Sequence, residues 1–164
     1  MATRLRPVQP ADHELLLAIY ASTRTDEMAL VDWTTEQKES FLRMQFEAQT
    51  RYYIENYSGA EFQVILHDDQ PVGRLYTHHK VDEIRIMDIA LLPDHRGHGI
   101  GSTLLNEILK KGEAANLPVS IHVERMNPAL RLYERLGFRL REDKGVYLLL
   151  EKKPLTLEQS AHAG

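Results

Sequence analysis

Three glycines at alternate positions, Gly97, Gly99 and Gly101, stand between an apolar run and an amphipathic one, and no other feature narrows the fold as much. The stretch from Ile84 to Leu105 reads I-R-I-M-D-I-A-L-L-P-D-H-R-G-H-G-I-G-S-T-L-L: a strand ending at a proline, a basic residue, the glycines, then the first turn of a helix. That order gathers consecutive backbone N–H groups and the positive end of a helix dipole at one point, a cradle for phosphate oxygens. Glycine removes the Cβ where backbone must approach an anion, and it permits positive φ. In a plain loop the same residues would weaken turn and helix without return. The turn is not a Walker A loop, because Ser102-Thr103 follows Gly101 where Lys-Ser/Thr would be needed. It also lacks the G-x-G-x-x-G spacing of a dinucleotide fold, and its strand follows a meander.

The rest of the chain predicts a sheet around that turn. Arg4 to Val8 is a short strand, and Pro10-Ala11-Asp12 opens a helix in which Leu15, Leu16, Ile19 and Tyr20 recur at helical spacing. Ser22 to Trp33 reads as a polar loop and a substrate lip. Thr34 or Thr35 then caps a long helix to about Tyr57, whose stripe of Phe41, Leu42, Met44, Gln45, Phe46, Ala48, Tyr52 and Tyr53 faces a core. Strands over Glu61–His67 and Val72–Thr77 flank the turn Asp68-Asp69-Gln70-Pro71, and a third runs from Glu83 to Leu92. After the glycines, Ile100, Leu104, Leu105, Ile108 and Leu109 line one side of a helix that stops between Gly112 and Asn116. A strand over Pro118–Val123 precedes Asn127-Pro128, a cap and first helical position for a helix from Ala129 to Leu136, with Gly137 as terminator. Strands Phe138–Arg141 and Val146–Leu150 close the chain around Glu142-Asp143-Lys144-Gly145. The expected class is α+β: about seven strands, four helices, order β-α-α-β-β-β-α-β-α-β-β. The step through residues 84–123 is parallel and the rest antiparallel.

The 164 residues suit one domain, taken as 1–153, with 154–164 as a frayed tail. A formal charge of -4 argues against a general nucleic-acid binder. No window approaches the ~18 apolar residues of a membrane span, and no signal peptide opens the chain. The absence of cysteine removes disulfides, thiolate catalysis and cysteine-ligated zinc, and fits a cytoplasmic setting. Of the eight histidines only His78-His79 and His95/His98 cluster, without the spacing of a metal site, so no metal is expected.

Two motifs in register carry a family resemblance. Arg96-Gly97-His98-Gly99-Ile100-Gly101 matches the R/Q-x-x-G-x-G/A signature, and Asn127 to Phe138 matches the N-x-A-x-x-L-Y-x-x-x-G-F run, of the GNAT N-acetyltransferase superfamily. The chain resembles a bacterial-type single-domain member over residues 3–152. The resemblance implies transfer of an acetyl group from acetyl-CoA to a primary amine, in an opening where strands four and five splay apart. It implies pantetheine pairing with the backbone of Ile89, Ala90 and Leu91. The pyrophosphate would lie on the amides of Gly97, His98, Gly99, Ile100, Gly101 and Ser102, with Arg96 opening the signature. It implies a pantetheine bond from Asn127 and protonation of the leaving thiolate by Tyr133.

An amine with a lysine-like pKa is mostly protonated at neutral pH, so direct attack calls for a general base. Glu83, thirteen residues before Arg96, holds the place of the glutamate base of histone-acetylating members. His122 is the second choice, with Glu124 in its place if the alignment slips, since the Asn127-to-Tyr133 spacing is one residue shorter than in the members that carry a glutamate there. A backbone N–H near Leu91 would serve the carbonyl oxygen. The alternative to an enzyme is an acyl-CoA sensor or interaction domain without turnover. The acceptor is a small-molecule or protein amine, and Asp26, Glu27 and Asp32 would favour cationic ones. Homodimers are common in the family, though no residue here marks an interface.

Overall fold

The computed structural model describes residues 2–155, and the remainder of the expected tail, 156–164, lies outside them. The chain to Leu75 together with Ile89–Arg96 forms one compact unit, and Tyr76–Asp88 with the chain from Gly97 forms a second. In order the elements are β1 (Thr3–Pro7), α1 (His13–Ser22), α2 (Thr25–Ala29), α3 (Thr35–Asn56), β2 (Glu61–His67), β3 (Gln70–His79), β4 (Ile84–Leu91), α4 (Ile100–Ala115), β5 (Val119–Glu124), α5 (Leu130–Arg135), β6 (Arg139–Asp143) and β7 (Tyr147–Lys152). The strands form one mixed sheet in the order β1-β2-β3-β4-β5-β7-β6. The expected α+β class and its parallel β4–β5 step are present, with Ile84, Arg85 and Ile86 facing Val119, Ser120 and Ile121. β1–β2, β5–β7 and β6–β7 are antiparallel.

In the first unit, Thr34 caps α3 by accepting from the Gln37 N–H at 3.1 Å, while the Gln37 side chain accepts from the Thr34 N–H at 2.9 Å. The buried stripe of α3 is narrower than the pattern predicts: Leu42 and Phe46 are buried, whereas Met44 and Tyr52 are 60% and 55% exposed. Leu42 and Phe46 join Leu16, Ile19 and Tyr20 of α1, with Ala90 and Leu92 packed alongside. Tyr53 instead stacks on Phe62 of β2, ring centroids 6.5 Å apart. The β2–β3 turn is tighter than expected, with Asp68 and Asp69 at φ 50° and 66° and the strand resuming at Gln70. Aspartate tolerates this left-handed region through its short polar side chain. The helix α2 lies in the stretch read as a loop. Its five residues are too few to show a period, and none is buried.

In the second unit, Ile100, Leu104, Leu105 and Ile108 bury one face of α4. Gly112 lets that helix close on β5, since a Cβ there would lie 2.8 Å from Val119 Cγ2 and 2.9 Å from the Leu117 carbonyl oxygen. The helix ends at Ala115, and its C-cap Asn116 takes φ 56°. Helix α5 is shorter than predicted and starts at Leu130. Asn127 does supply a local bond, its Oδ1 accepting from the Ala129 N–H at 2.8 Å. Of the residues assigned to the tail, two are described: Pro154 is buried, and the Leu155 N–H donates to the Glu113 carboxylate at 3.0 Å.

Gly112→Ala separates packing from propensity. Helix propensity alone would stabilise the variant by about 1 kcal/mol, whereas overpacking costs about 1–3 kcal/mol. The urea midpoint should fall, and a rise would show that the contact yields.

Candidate active site

The first unit ends on Arg96, and Arg96 is spent on its own backbone. Its Nε donates to the Leu91 carbonyl at 2.9 Å, and its Nη2 donates to Ser22 Oγ at 3.2 Å. The guanidinium thus ties the end of β4 to the C-terminus of α1, where the helix dipole favours a cation. Ile89, Ala90 and Leu91 form the last residues of β4 in this unit.

The next residue, Gly97, belongs to the second unit. Gly97 and Gly99 take φ of +77° and +82°, and Gly99 is the N-cap of α4 without any side-chain cap bond. The first helical donation is from the Thr103 N–H to the Gly99 carbonyl at 3.0 Å, so the N–H groups of Ile100, Gly101 and Ser102 precede the helical ladder. A Cβ added at Gly97, Gly99 or Gly101 would meet no other heavy atom within 4 Å. At Gly101, which lies inside the helix with ordinary φ, nothing in the protein requires glycine, and its cost of about 1 kcal/mol relative to Ala is uncompensated within the chain.

Glu83, immediately before β4, is buried and held on both oxygens. Arg85 Nη2 donates to Oε1 and Arg141 Nη1 to Oε2, each at 2.9 Å, while Lys80 Nζ stands 3.6 Å away. Burial alone would raise its pKa, but the bond with Ser120 and the charges of Arg85 and Arg141 outweigh it and hold the carboxyl below its ordinary value. A carboxylate so stabilised is a weak base. His122 belongs to the same network: Nδ1 lies 3.4 Å from Arg85 Nη1 and Nε2 lies 3.2 Å from Lys144 Nζ. Burial first, then the charges of Arg85 and Lys144, lower its pKa and keep the imidazole neutral.

Tyr133, on α5, is buried with its ring edge-on to Phe138 at 6.0 Å. Burial, with the Asp88 carboxylate second, pushes the phenol up to about 12. It stays protonated across the neutral range, as a proton donor must.

Comparison with known proteins identifies the family. Residues 27–138 match the family model described as the acetyltransferase (GNAT) family. The chain belongs to the GNAT acetyltransferase family. It is an acyltransferase, and its general chemistry is acetyl transfer. No curated protein matches the sequence. Among solved structures, PaiA N-acetyltransferase from Thermoplasma acidophilum in complex with coenzyme A is similar at 20% identity and TM-score 0.70, covering 93% of this chain and 99% of that one. An acetyltransferase from Thermus thermophilus is similar at 19% identity and TM-score 0.68, covering 93% and 97%. A GNAT family acetyltransferase from Elizabethkingia anophelis with acetyl-CoA bound is similar at 17% identity and TM-score 0.57, covering 92% and 97%.

Within this GNAT chain, sequence reasoning missed the partners of these side chains. Glu83 is neutralised by Arg85 and Arg141, two and 58 residues away. Asp88, whose charge acts on Tyr133, was visible only as an acid in a strand whose one other charged residue is Arg85. The acidic lip is weakened as well, since Glu27 pairs with Arg24 at 3.1 Å. Among the described residues no group of three His, Asp or Glu side chains could hold a metal, and no helix is long and apolar enough to cross a membrane.

The lowered carboxyl of Glu83 sets a pH signature. Its stabilisation is fully present above the ordinary value of 4.5 and is lost as pH falls through the lower folded value. Glu83→Gln leaves two guanidiniums facing a neutral amide, and should cost about 2–4 kcal/mol at pH 7, from the cost of breaking a buried ion pair reduced for the exposure of Arg141. Chemical denaturation of both proteins should show that gap flat from pH 8 to 5.5 (about one unit above the ordinary value) and shrinking below. A constant gap at acid pH would contradict the assignment.

Proposed function

We propose that the protein transfers the acetyl group of acetyl-CoA to a primary amine by direct attack, without an acyl-enzyme. The observation that carries the reading is Gly101. A helical glycine with open space beside it, next to uncapped N–H groups and two left-handed glycines, fits backbone approached closely by an anionic group from outside the chain. The pyrophosphate of coenzyme A is such a group, and the amides of Gly97 through Ser102 would hold it. When bound, acetyl-CoA supplies an activated acyl group. The lack of cysteine fits direct transfer, since no thiol is present to carry the acyl group, and it suits a cytoplasmic enzyme.

The roles of the other residues follow from their surroundings. Arg96 is a positioning residue: its bonds to Leu91 and Ser22 fix where the turn begins. Ile89, Ala90 and Leu91 offer strand backbone to the pantetheine arm, and Asn127, with Oδ1 used on Ala129, retains its amide N–H donors for that arm. Tyr133 holds a proton for the departing thiolate. Glu83 anchors the start of β4 and is not the general base in this reading. His122 is occupied at Nδ1 by Arg85 and is likewise not assigned as one. Much of the acceleration would then come from bringing amine and acyl group together.

Thiol release measured over an amine panel tests the reaction, and an active acceptor is expected. Tyr133→Phe should lower kcat by about 10²–10⁴-fold, the range for a positioned proton donor, with little change in KM for acetyl-CoA. Gly101→Ala should move two quantities in opposite directions: the protein gains about 1 kcal/mol of stability from helix propensity while acetyl-CoA binding weakens. Unchanged binding by calorimetry would sink the cradle.

A further inference from the structure

His122 faces a donor on each of its ring nitrogens. Neither Arg85 nor the Lys144 ammonium can accept a hydrogen bond, and a neutral imidazole has one N–H and one lone pair. Only one of the two contacts can therefore be a hydrogen bond. Arg85 is the fixed one. Its Nε donates to Ser120 Oγ at 2.6 Å and its Nη2 to Glu83 Oε1 at 2.9 Å, and its side chain is 11% exposed. The plane and position of the guanidinium are set by those two bonds, so the Nη1–H is presented to Nδ1, which must carry the lone pair. The proton then sits on Nε2, and Nε2–H and the Lys144 ammonium, 3.2 Å apart, are two donors facing each other with no acceptor between them.

The charges around them are matched elsewhere. Arg85 and Arg141 answer Glu83, and Arg141 also stands 3.5 Å from Glu151. The carboxylate nearest Lys144 is Glu142, at 4.0 Å and 60% exposed, beyond hydrogen-bond distance. Lys144 is itself 42% exposed, so solutes reach the pair. Two adjacent donors, one of them cationic and exposed, are left without an acceptor between them, and an oxyanion has lone pairs to share with both.

We propose that His122 Nε2–H and Lys144 Nζ together bind a carboxylate of the acceptor, so that the enzyme's substrates are amines that also carry a carboxylate. The proposal rests on the acetyl-transfer reading above for the amine, and on the His122 geometry alone for the carboxylate. It assigns His122 a substrate-positioning role through a tautomer that Arg85 selects.

Two experiments test it. In thiol release with matched acceptors, each a free amino acid and its amide, the carboxylate member should be preferred in kcat/KM by about ten- to a hundredfold, the worth of a hydrogen bond to a charged group. Lys144→Met should collapse that preference through KM, and Lys144→Arg should retain it. Equal use of both members, or a preference that survives Lys144→Met, overturns the proposal. Independently of turnover, ¹⁵N NMR of the imidazoles should show His122 as the Nε2–H tautomer, with signals that move on titration with sodium acetate in the parent protein and much less in Lys144→Met. An Nδ1–H tautomer, or no response to acetate, overturns it even if acetylation is observed. If no amine is acetylated while His122 behaves as stated, the acetyl-transfer reading fails and the carboxylate site stands.

Discussion

Between Arg96 and Thr103 the backbone follows a path that side chains rarely allow. Gly97 and Gly99 both take left-handed φ, and the chain enters α4 with no residue to cap it. Left-handed backbone costs an L-residue roughly 1–2 kcal/mol at each such position, so glycine is what makes the path accessible. The outcome is a helix start whose free N–H groups and dipole are left open. An interior helix end of this kind would ordinarily be closed by Ser, Thr, Asp or Asn. The rest of the unit holds that end in place: Leu104, Leu105 and Ile108 fasten α4 by its apolar face, and Gly112 lets the helix sit close to β5.

A second constraint lies at the opposite end of β4. Glu83 gathers Arg85 and Arg141, and Arg85 in turn holds Ser120 and faces His122. One carboxylate thereby ties the entry of β4 to β5 and β6. Its charge is kept rather than titrated, so in the proposed reading the residue that resembles a base by position serves as an anchor. The buried phenol of Tyr133 shows the converse: burial and the Asp88 charge raise its pKa, and both keep the proton on.

The glycine turn was legible in the sequence because its requirements are local: positive φ, no Cβ, and a helix starting within two residues. The element order was legible for the same reason, since periods of two and 3.6 are written into neighbouring residues. What the sequence hid depends on distant pairs. Nothing near Glu83 announces Arg141, and nothing near His122 announces that Lys144 will stand on its other nitrogen. Local readings erred where the local signal was weak. Helix α2 is too short to show a period, and Asn127 Oδ1 accepts from the N–H of Ala129, one residue before α5 begins. Met44 and Tyr52 show the remaining error: spacing along α3 marks a face, while burial also needs something for that face to meet.

The central claim is that the backbone of the glycine turn binds the diphosphate of coenzyme A. The direct measurement is amide NMR of the ¹⁵N-labelled protein titrated with coenzyme A and, separately, with pantetheine, which lacks the diphosphate. The account predicts that the amides of Gly97, Gly99, Ile100, Gly101 and Ser102 shift with coenzyme A and stay nearly still with pantetheine. Equal shifts with both ligands, or shifts with coenzyme A that leave these amides untouched, would contradict it.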